Sequence, residues 1–552
     1  MVMKRVHGIF LAALAGALSL GGCQLIAGVH TDAVPLGGGG HGGHGGGGHG
    51  GACQNNDECA SNLCLNGFCC GPTSTKEQLC AGHCGQMMDE CGHLVDCPGC
   101  TVPETCGGAG EANVCACGPG CPIWAKTFGT STSGMKGIGL ALDSEEHIIL
   151  TGDAFGSINF GGGALPLVGD GDAFYAKLDV EATQLSARSF GVSTRSQFGA
   201  AAAAGGAGHA ILAGAYRGGI DFGGATLTGV SGYDIFVVEL DASGKHVWSK
   251  SFGGQGDQEV TGVAVDASGN TIVVGSFADS LDFGSGELTY VGGKDIFVAK
   301  LDPSGAHLWS KSFGGQGDQE VTGVAVDAAG EVMIVGHHSN GLDFGGTVGA
   351  IPNEGGKDAF VAKLDASGEP VWAKALGDAS EQRGFGIASD ASGNILVTGG
   401  FQGTIDFGGG TVKSPANDGV FLAKLDASGN HVWSKVFGGD ETTIAHGRSV
   451  AFTGSGDVVV SGDVNGVLDF GGGPRPGYGG LFVARLNGQG DHVWSRGFGG
   501  GGLIVQGTEV LTDVSGNIIV AGSYNGSVDF GFGLVTANNS NANIFLMKLS
   551  AF

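Results

Sequence analysis

Residues 248–266 read WSKSFGGQGDQEVTGVAVD, and the same nineteen residues return unchanged at 309–327. A run repeated without one difference marks a structural unit that the chain uses more than once. Trp124, Trp372, Trp433 and Trp494 head further copies, so all six tryptophans hold one position of the repeat. A seventh copy fills the remaining gap. There Leu185-Ser186-Ala187-Arg188-Ser189-Phe190 replaces the motif, and Ser186 takes the tryptophan's place. The starts at 124, 186, 248, 309, 372, 433 and 494 lie 61 to 63 residues apart.

Each copy holds four short β-type runs, which in the clearest one are 261–266 (TGVAVD), 270–277 (NTIVVGSF), 295–302 (DIFVAKLD) and 307–313 (HLWSKSF). Asp-x-x-Gly turns join the first run to the second and the third to the fourth, with Gly suited to a left-handed position. Seven units of four antiparallel strands predict an all-β, seven-bladed β-propeller over residues 122–552. The ends complement one another. The chain enters the repeats at Ile123-Trp124-Ala125-Lys126-Thr127-Phe128, a fourth strand alone, and stops after a third strand at 543–552. The first segment is therefore expected to close the last blade, which removes a free sheet edge.

The units resemble a bacterial β-propeller repeat family with the pattern W-x-K-x-F-G-G … G-x-A-V-D-x-x-G-N-x-x-V-x-G, from Trp124 to Phe552. The match is weakest at 186–208, where Ala200 to Ala204 replace the apolar strand, and at 449–454, where the Asp is missing. The resemblance implies a fold and an exported setting, and no defined reaction.

Composition narrows the classes further. Gly supplies 114 of 552 residues, but Pro is only 13 and no three-residue period exists, which excludes collagen. Lys+Arg 26 against Asp+Glu 53 gives −27, a balance that argues against nucleic acid as a partner.

Residues 1–22 read as an export signal, with Lys4 and Arg5 ahead of an apolar run too short to span a bilayer. Leu20-Gly21-Gly22-Cys23 resembles the bacterial lipobox, which implies acylation of Cys23 and a lipid bilayer as partner, at the outer membrane or cell surface. Residues 23–52 form a Gly/His-rich linker in which His41, His44 and His49 could hold a metal only on a floppy chain. The other fourteen cysteines are Cys53, Cys59, Cys64, Cys69, Cys70, Cys80, Cys84, Cys91, Cys97, Cys100, Cys106, Cys115, Cys117 and Cys121. An even, crowded set in an exported segment predicts a disulfide-rich module over 53–121, with no metal and connectivity left open. Part of it, 91–117, resembles small Cys-rich modules of exported bacterial surface proteins.

The long connections, between second and third strands and between blades, are expected on one face, where binding usually resides. Asp257, Glu259, Asp318 and Glu320 come from two identical inter-blade stretches and are the candidate ligand-binding residues, with Arg195, Glu381, Arg383, His446 and Arg448 nearby. Asp221, Asp282, Asp343, Asp406, Asp469 and Asp529, with Asn159, head a hydrophobic-Asp-Phe-Gly motif in every blade and read as turn formers. Gly253-Gly254-Gln255-Gly256-Asp257 is similar to the calcium-binding GGxGxD repeat, but Asp comes one residue early and no nine-residue period follows. No cofactor is expected, although loop carboxylates leave calcium open. With no P-loop, zincin or nucleophile-elbow motif, the expectation is a binding or scaffolding platform for a protein or glycan, not an enzyme. Two alternatives stand beside it: a carbohydrate-active hydrolase or lyase in the central funnel, and an envelope-assembly lipoprotein.

Overall fold

A computed structural model describes residues 119–551, apart from 130–133, 169–170, 193–196, 474, 500–503 and 538–541. Before residue 119 it describes only short paired strands: Cys64–Leu65 with Phe68–Cys69, Gly85–Met88 with Leu94–Cys97, and Thr105–Cys106 with Cys115–Ala116. Cys23, the export signal, the linker and the side chains of thirteen of the module's cysteines lie outside the described residues. Cys121, the last of them, is disulfide-bonded.

Seven four-stranded antiparallel sheets follow one another, each running outward from an inner first strand. In blade 3 the strands are Gln258–Val265, Thr271–Phe277, Asp295–Leu301 and His307–Phe313. The inner strand begins three residues earlier than the 261–266 expected, because a bulge between Val260 and Gly262 lets the ladder continue past Thr261. The last sheet is completed by Pro122–Phe128, which pairs antiparallel with Asn543–Leu549, as the complementary ends require.

The packing explains the repeat's invariant residues. The third strands have every residue buried in blades 1, 3, 4 and 7, as expected for sheets covered on both faces. In blade 3, Phe252 of the preceding outer strand, Phe283 of the long connection and Phe297 of the third strand stack at 4.8 and 5.4 Å. The Asp ahead of Phe283 is a turn former: Asp282 Oδ1 accepts the N–H groups of Gly284 and Gly286 at 2.6 and 3.0 Å. Asn159, Asp406, Asp469 and Asp529 accept equivalent pairs.

Five of the six tryptophans latch their blade to the next by an indole hydrogen bond. Trp248 Nε1 donates to the carbonyl of Pro303 at 3.0 Å, and Trp309 to that of Ala366 at 3.1 Å. Trp124 does the same to Val180 at 3.2 Å. The blade without a Trp is repaired by Tyr175: a Cβ on Gly244 of the next blade's turn would lie 2.8 Å from the Tyr175 ring, where Gly305 would meet Trp248 at 2.7 Å.

Thirteen of the 26 basic residues occupy two recurring positions. One is in the outer strand, two residues after the Trp position: Lys126, Arg188, Lys250, Lys311, Lys374, Lys435 and Arg496. Charge there discourages other chains from pairing with an exposed edge. The other is the third strand, where Lys177, Lys300 and Lys548 reach the buried turn carboxylates Asp143, Asp266 and Asp513 at 2.7, 2.9 and 2.9 Å. Blade 2 inverts this pair, with Glu239 in the lysine's place and His209 opposite at 2.7 Å. In blade 6, where the turn Asp is missing, Arg485 reaches Asp457 at 2.9 Å.

Candidate functional site

The seven inner strands surround a central channel, and their bulges bring equivalent residues to common levels. Gly139, Ala201, Gly262, Gly323, Gly386, Ser449 and Glu509 form one level, since each pairs with the residue just before the second strand's glycine. Small residues are required for close approach between blades. A Cβ on Gly139 would lie 2.5 Å from the Ala202 nitrogen, and one on Gly386 2.8 Å from the Arg448 carbonyl oxygen. Only blade 7 departs from a small residue, with Glu509.

Glu509 and Arg448 line a cavity of about 500 Å³ within the channel. That volume lies in the range of small-molecule sites, ~300–1,000 Å³. Burial pushes the Glu509 carboxyl up to about 7, against a smaller opposing effect of the hydrogen bond from Ser449. Ser449 Oγ donates to Glu509 Oε2 at 3.2 Å and accepts the Val510 N–H at 3.1 Å. A carboxyl titrating near neutrality can give or take a proton at working pH, which suits general acid–base chemistry.

Most hydroxyls of the wall are already committed to the neighbouring blade. Thr261 donates to the Val321 carbonyl at 2.7 Å, Thr322 to that of Gly384 at 2.9 Å and Thr512 to that of Phe452 at 2.9 Å. Glu509 and Arg448 are the charged groups of this cavity.

Arg448 belongs to a network at the start of blade 6. Its guanidinium lies 4.3 Å from the centroid of the Phe385 ring and its Nε donates to Asp463 Oδ1. His446 sits between Asp463, at 2.9 Å from Nδ1, and Asp418, at 3.4 Å from Nε2. Burial would lower the His446 pKa, but the bonds to Asp418 and Asp463 outweigh it and raise the ring to about 9. Burial likewise works against the Asp463 carboxylate, and His446 and Arg448 more than compensate, holding it below the usual range.

A second cavity, of about 410 Å³, meets the first at Ala200 and is lined by Asp153, Phe198, Tyr233, Asp257, Glu259 and Lys294, among others. The Phe198 and Tyr233 rings stand 5.4 Å apart.

The four carboxylates named from sequence lie at equivalent places in blades 3 and 4, on the face opposite the Asp-x-x-Gly turns. Asp257 Oδ1 accepts the Tyr233 N–H at 3.1 Å and Asp318 Oδ1 the Lys294 N–H at 3.2 Å, so both tie loops together. Glu259 pairs with Lys294 at 3.1 Å. Glu320 lies 3.4 Å from His337 and 3.6 Å from Lys357, and the His337 contact chiefly brings its carboxyl down to about 2. Arg383, His446 and Arg448 sit within inner strands, not in loops, and Arg195 lies outside the described residues. Glu509 is the residue that sequence reasoning missed. Among the described residues no cluster of three or more His, Cys, Asp or Glu could hold a metal.

No family model matches the chain. One curated protein, an uncharacterised WD repeat-containing protein L264 of Acanthamoeba polyphaga mimivirus, is 25% identical over 205 residues, 31% of this chain and 14% of that one. The chain therefore spans a small part of that relative's length. Among solved structures, the polysaccharide lyase Uly1 aligns over 78% of this chain and 100% of its own at 10% identity and TM-score 0.41. NanB sialidase of Streptococcus pneumoniae covers 78% and 70% at 11% and 0.35. A gluconolactonase of Xanthomonas campestris covers 61% and 86% at 11% and 0.29. These likenesses concern architecture alone. The expectation that the chain is not an enzyme is corrected to this extent: it rested on missing motifs of other folds, and the architecture is one that enzymes also use.

Proposed function

We propose that the protein is a carbohydrate-active enzyme, of hydrolase or lyase type, working in the funnel of the propeller. The observation that carries this reading is Glu509, a carboxyl brought near neutrality at a level of the channel where the other six blades supply Gly, Ala or Ser. In this reading Glu509 is the general acid or base. The cavity bounded by Phe198, Tyr233, Asp257, Glu259 and Lys294 supports the substrate class, because an aromatic wall beside carboxylates and an amine suits the apolar face and hydroxyl rim of a sugar ring. Anchoring through Cys23 would place this activity at the cell envelope.

The test is a panel of polysaccharides, assayed for new reducing ends and for the unsaturated product of elimination. The native chain should cleave at least one, and Glu509→Gln should lose ~10²–10⁴-fold in rate without losing stability. Cleavage at native rate by the variant would refute the assignment.

A further inference from the structure

Two charged residues stand at successive levels of the channel, on neighbouring blades. Glu509 is one. Arg448 is the other: its equivalents, each one residue before the small-residue level, are Ile138, Ala200, Thr261, Thr322, Phe385 and Thr508, and none is charged. Where Thr261 and Thr322 stitch their strand to the next blade, blade 6 instead presents a guanidinium to the cavity. Arg448 also stands outside the two recurring basic positions of the blades, so neither edge protection nor the turn ion pair accounts for it.

The guanidinium is fixed before any ligand arrives. Asp463 holds Nε, Phe385 supports the plane from 4.3 Å, and Nη2 lies 3.3 Å from His446 Nδ1. Nη1 has no partner among the described residues, and the side chain keeps 31% of its surface. A planar, pre-oriented fork with a free edge recognises oxyanions, and little rotamer freedom remains to be lost on binding. With His446, Arg448 balances Asp463 and Asp418, so the network holds two cations and two anions. Of these four ions Arg448 alone lines the cavity, and it is the cation of that wall.

We propose that Arg448 is a specificity-determining residue and that the channel takes an acidic saccharide, whose carboxylate or sulfate group meets the free edge of Arg448. This rests on the carbohydrate reading above and narrows it.

The experiment is calorimetric titration of the full chain at pH 6 with three oligosaccharides: oligogalacturonate, a sulfated galactan oligomer and a neutral galactan oligomer. One or both acidic oligomers should bind at least tenfold more tightly than the neutral one, and the stronger of them identifies the oxyanion. Arg448→Gln should erase that preference, and Arg448→Lys should restore it only in part, because the charge returns without the fork. Should Arg448→Gln fail to fold, the Arg448 Nε–H resonance of the native chain, followed during the titration, must move with the acidic oligomers and not with the neutral one. Equal binding of all three would overturn the proposal and leave the carbohydrate reading standing, as would a preference that survives Arg448→Gln. If no saccharide binds or is cleaved, both fall together.

Discussion

Cys121 and Ser550, 429 residues apart, exchange two hydrogen bonds: Cys121 N–H donates to Ser550 Oγ at 3.0 Å, and Ser550 N–H to the Cys121 carbonyl at 2.8 Å. The start and end of the propeller thereby mimic the tight turn that joins third and fourth strands elsewhere, where Asp302 N–H donates to the Ala306 carbonyl at 2.7 Å and Ala306 N–H to Asp302 Oδ1 at 2.9 Å. Gly120 even takes the place of that turn's Gly305, since a Cβ there would meet the Trp494 ring at 2.7 Å.

Deleting Pro122–Phe128 should therefore unzip the ring. Trp124 and Phe128 are buried at 8% and 6% exposure, and losing them alone gives up roughly 3–6 kcal/mol of side-chain burial. The deletion also frees the edge of Asn543–Leu549. Thermal melting checks this, and a loss of only a degree or two would show that closure contributes little.

Two glycines of similar backbone should answer differently to alanine. Gly305 (φ +75°) faces the Trp248 ring, whereas Gly284 (φ +105°) faces open space. Both substitutions carry the strain of a positive φ, about 1 kcal/mol. Gly305→Ala should cost about 1–3 kcal/mol more by displacing the latch, and chemical denaturation of the two variants reads the difference.

Breaking the buried Lys300–Asp266 pair from one side should be severe. Both side chains are almost fully enclosed, at 6% and 5% exposure, so Lys300→Met strands a carboxylate and should cost roughly 3–5 kcal/mol. Lys311→Met, whose partner Glu369 is 61% exposed, should cost under about 1 kcal/mol. Equal losses in urea melts would contradict the ion-pair account.

The channel predicts a fall in stability with rising pH. Glu509 titrates at about 7 when folded against 4.5 for the free side chain, so the folded state holds the extra proton between those values and loses that advantage as pH rises through 7. His446, raised from 6.5 to about 9, contributes stability below 6.5 that is lost as pH climbs through 9. Glu509→Gln should remove the lower part of the slope and stabilise the protein at pH 8 by roughly 3 kcal/mol. A flat stability profile in the native chain from pH 5 to 9 would contradict both shifts.

The blades, their number and the closing strand were legible because the repeat is nearly exact and its two ends are complementary. What replaces a missing residue was not. Tyr175 standing in for the Trp lost at Ser186, and the inverted Glu239–His209 pair, depend on where neighbouring strands place side chains. Glu509 did leave a signal. Stacking the seven inner strands on their second-strand glycines puts it against Gly139, Ala201, Gly262, Gly323, Gly386 and Ser449. On the acidic rim, by contrast, Glu259 and Glu320 are engaged by Lys294 and by His337 and Lys357. A bulge in each strand hides the register from simple counting, which is why residues expected in loops, such as His446 and Arg448, belong to an inner strand.

The decisive measurement is the ionisation of Glu509 itself, followed by the carboxyl carbon shift in glutamate-labelled protein, with Glu509→Gln to assign the signal. A midpoint near 7 is expected, in contrast to the ordinary ~4.3 of an exposed glutamate. A midpoint in that ordinary range would leave the channel without its acid–base group and contradict the central claim.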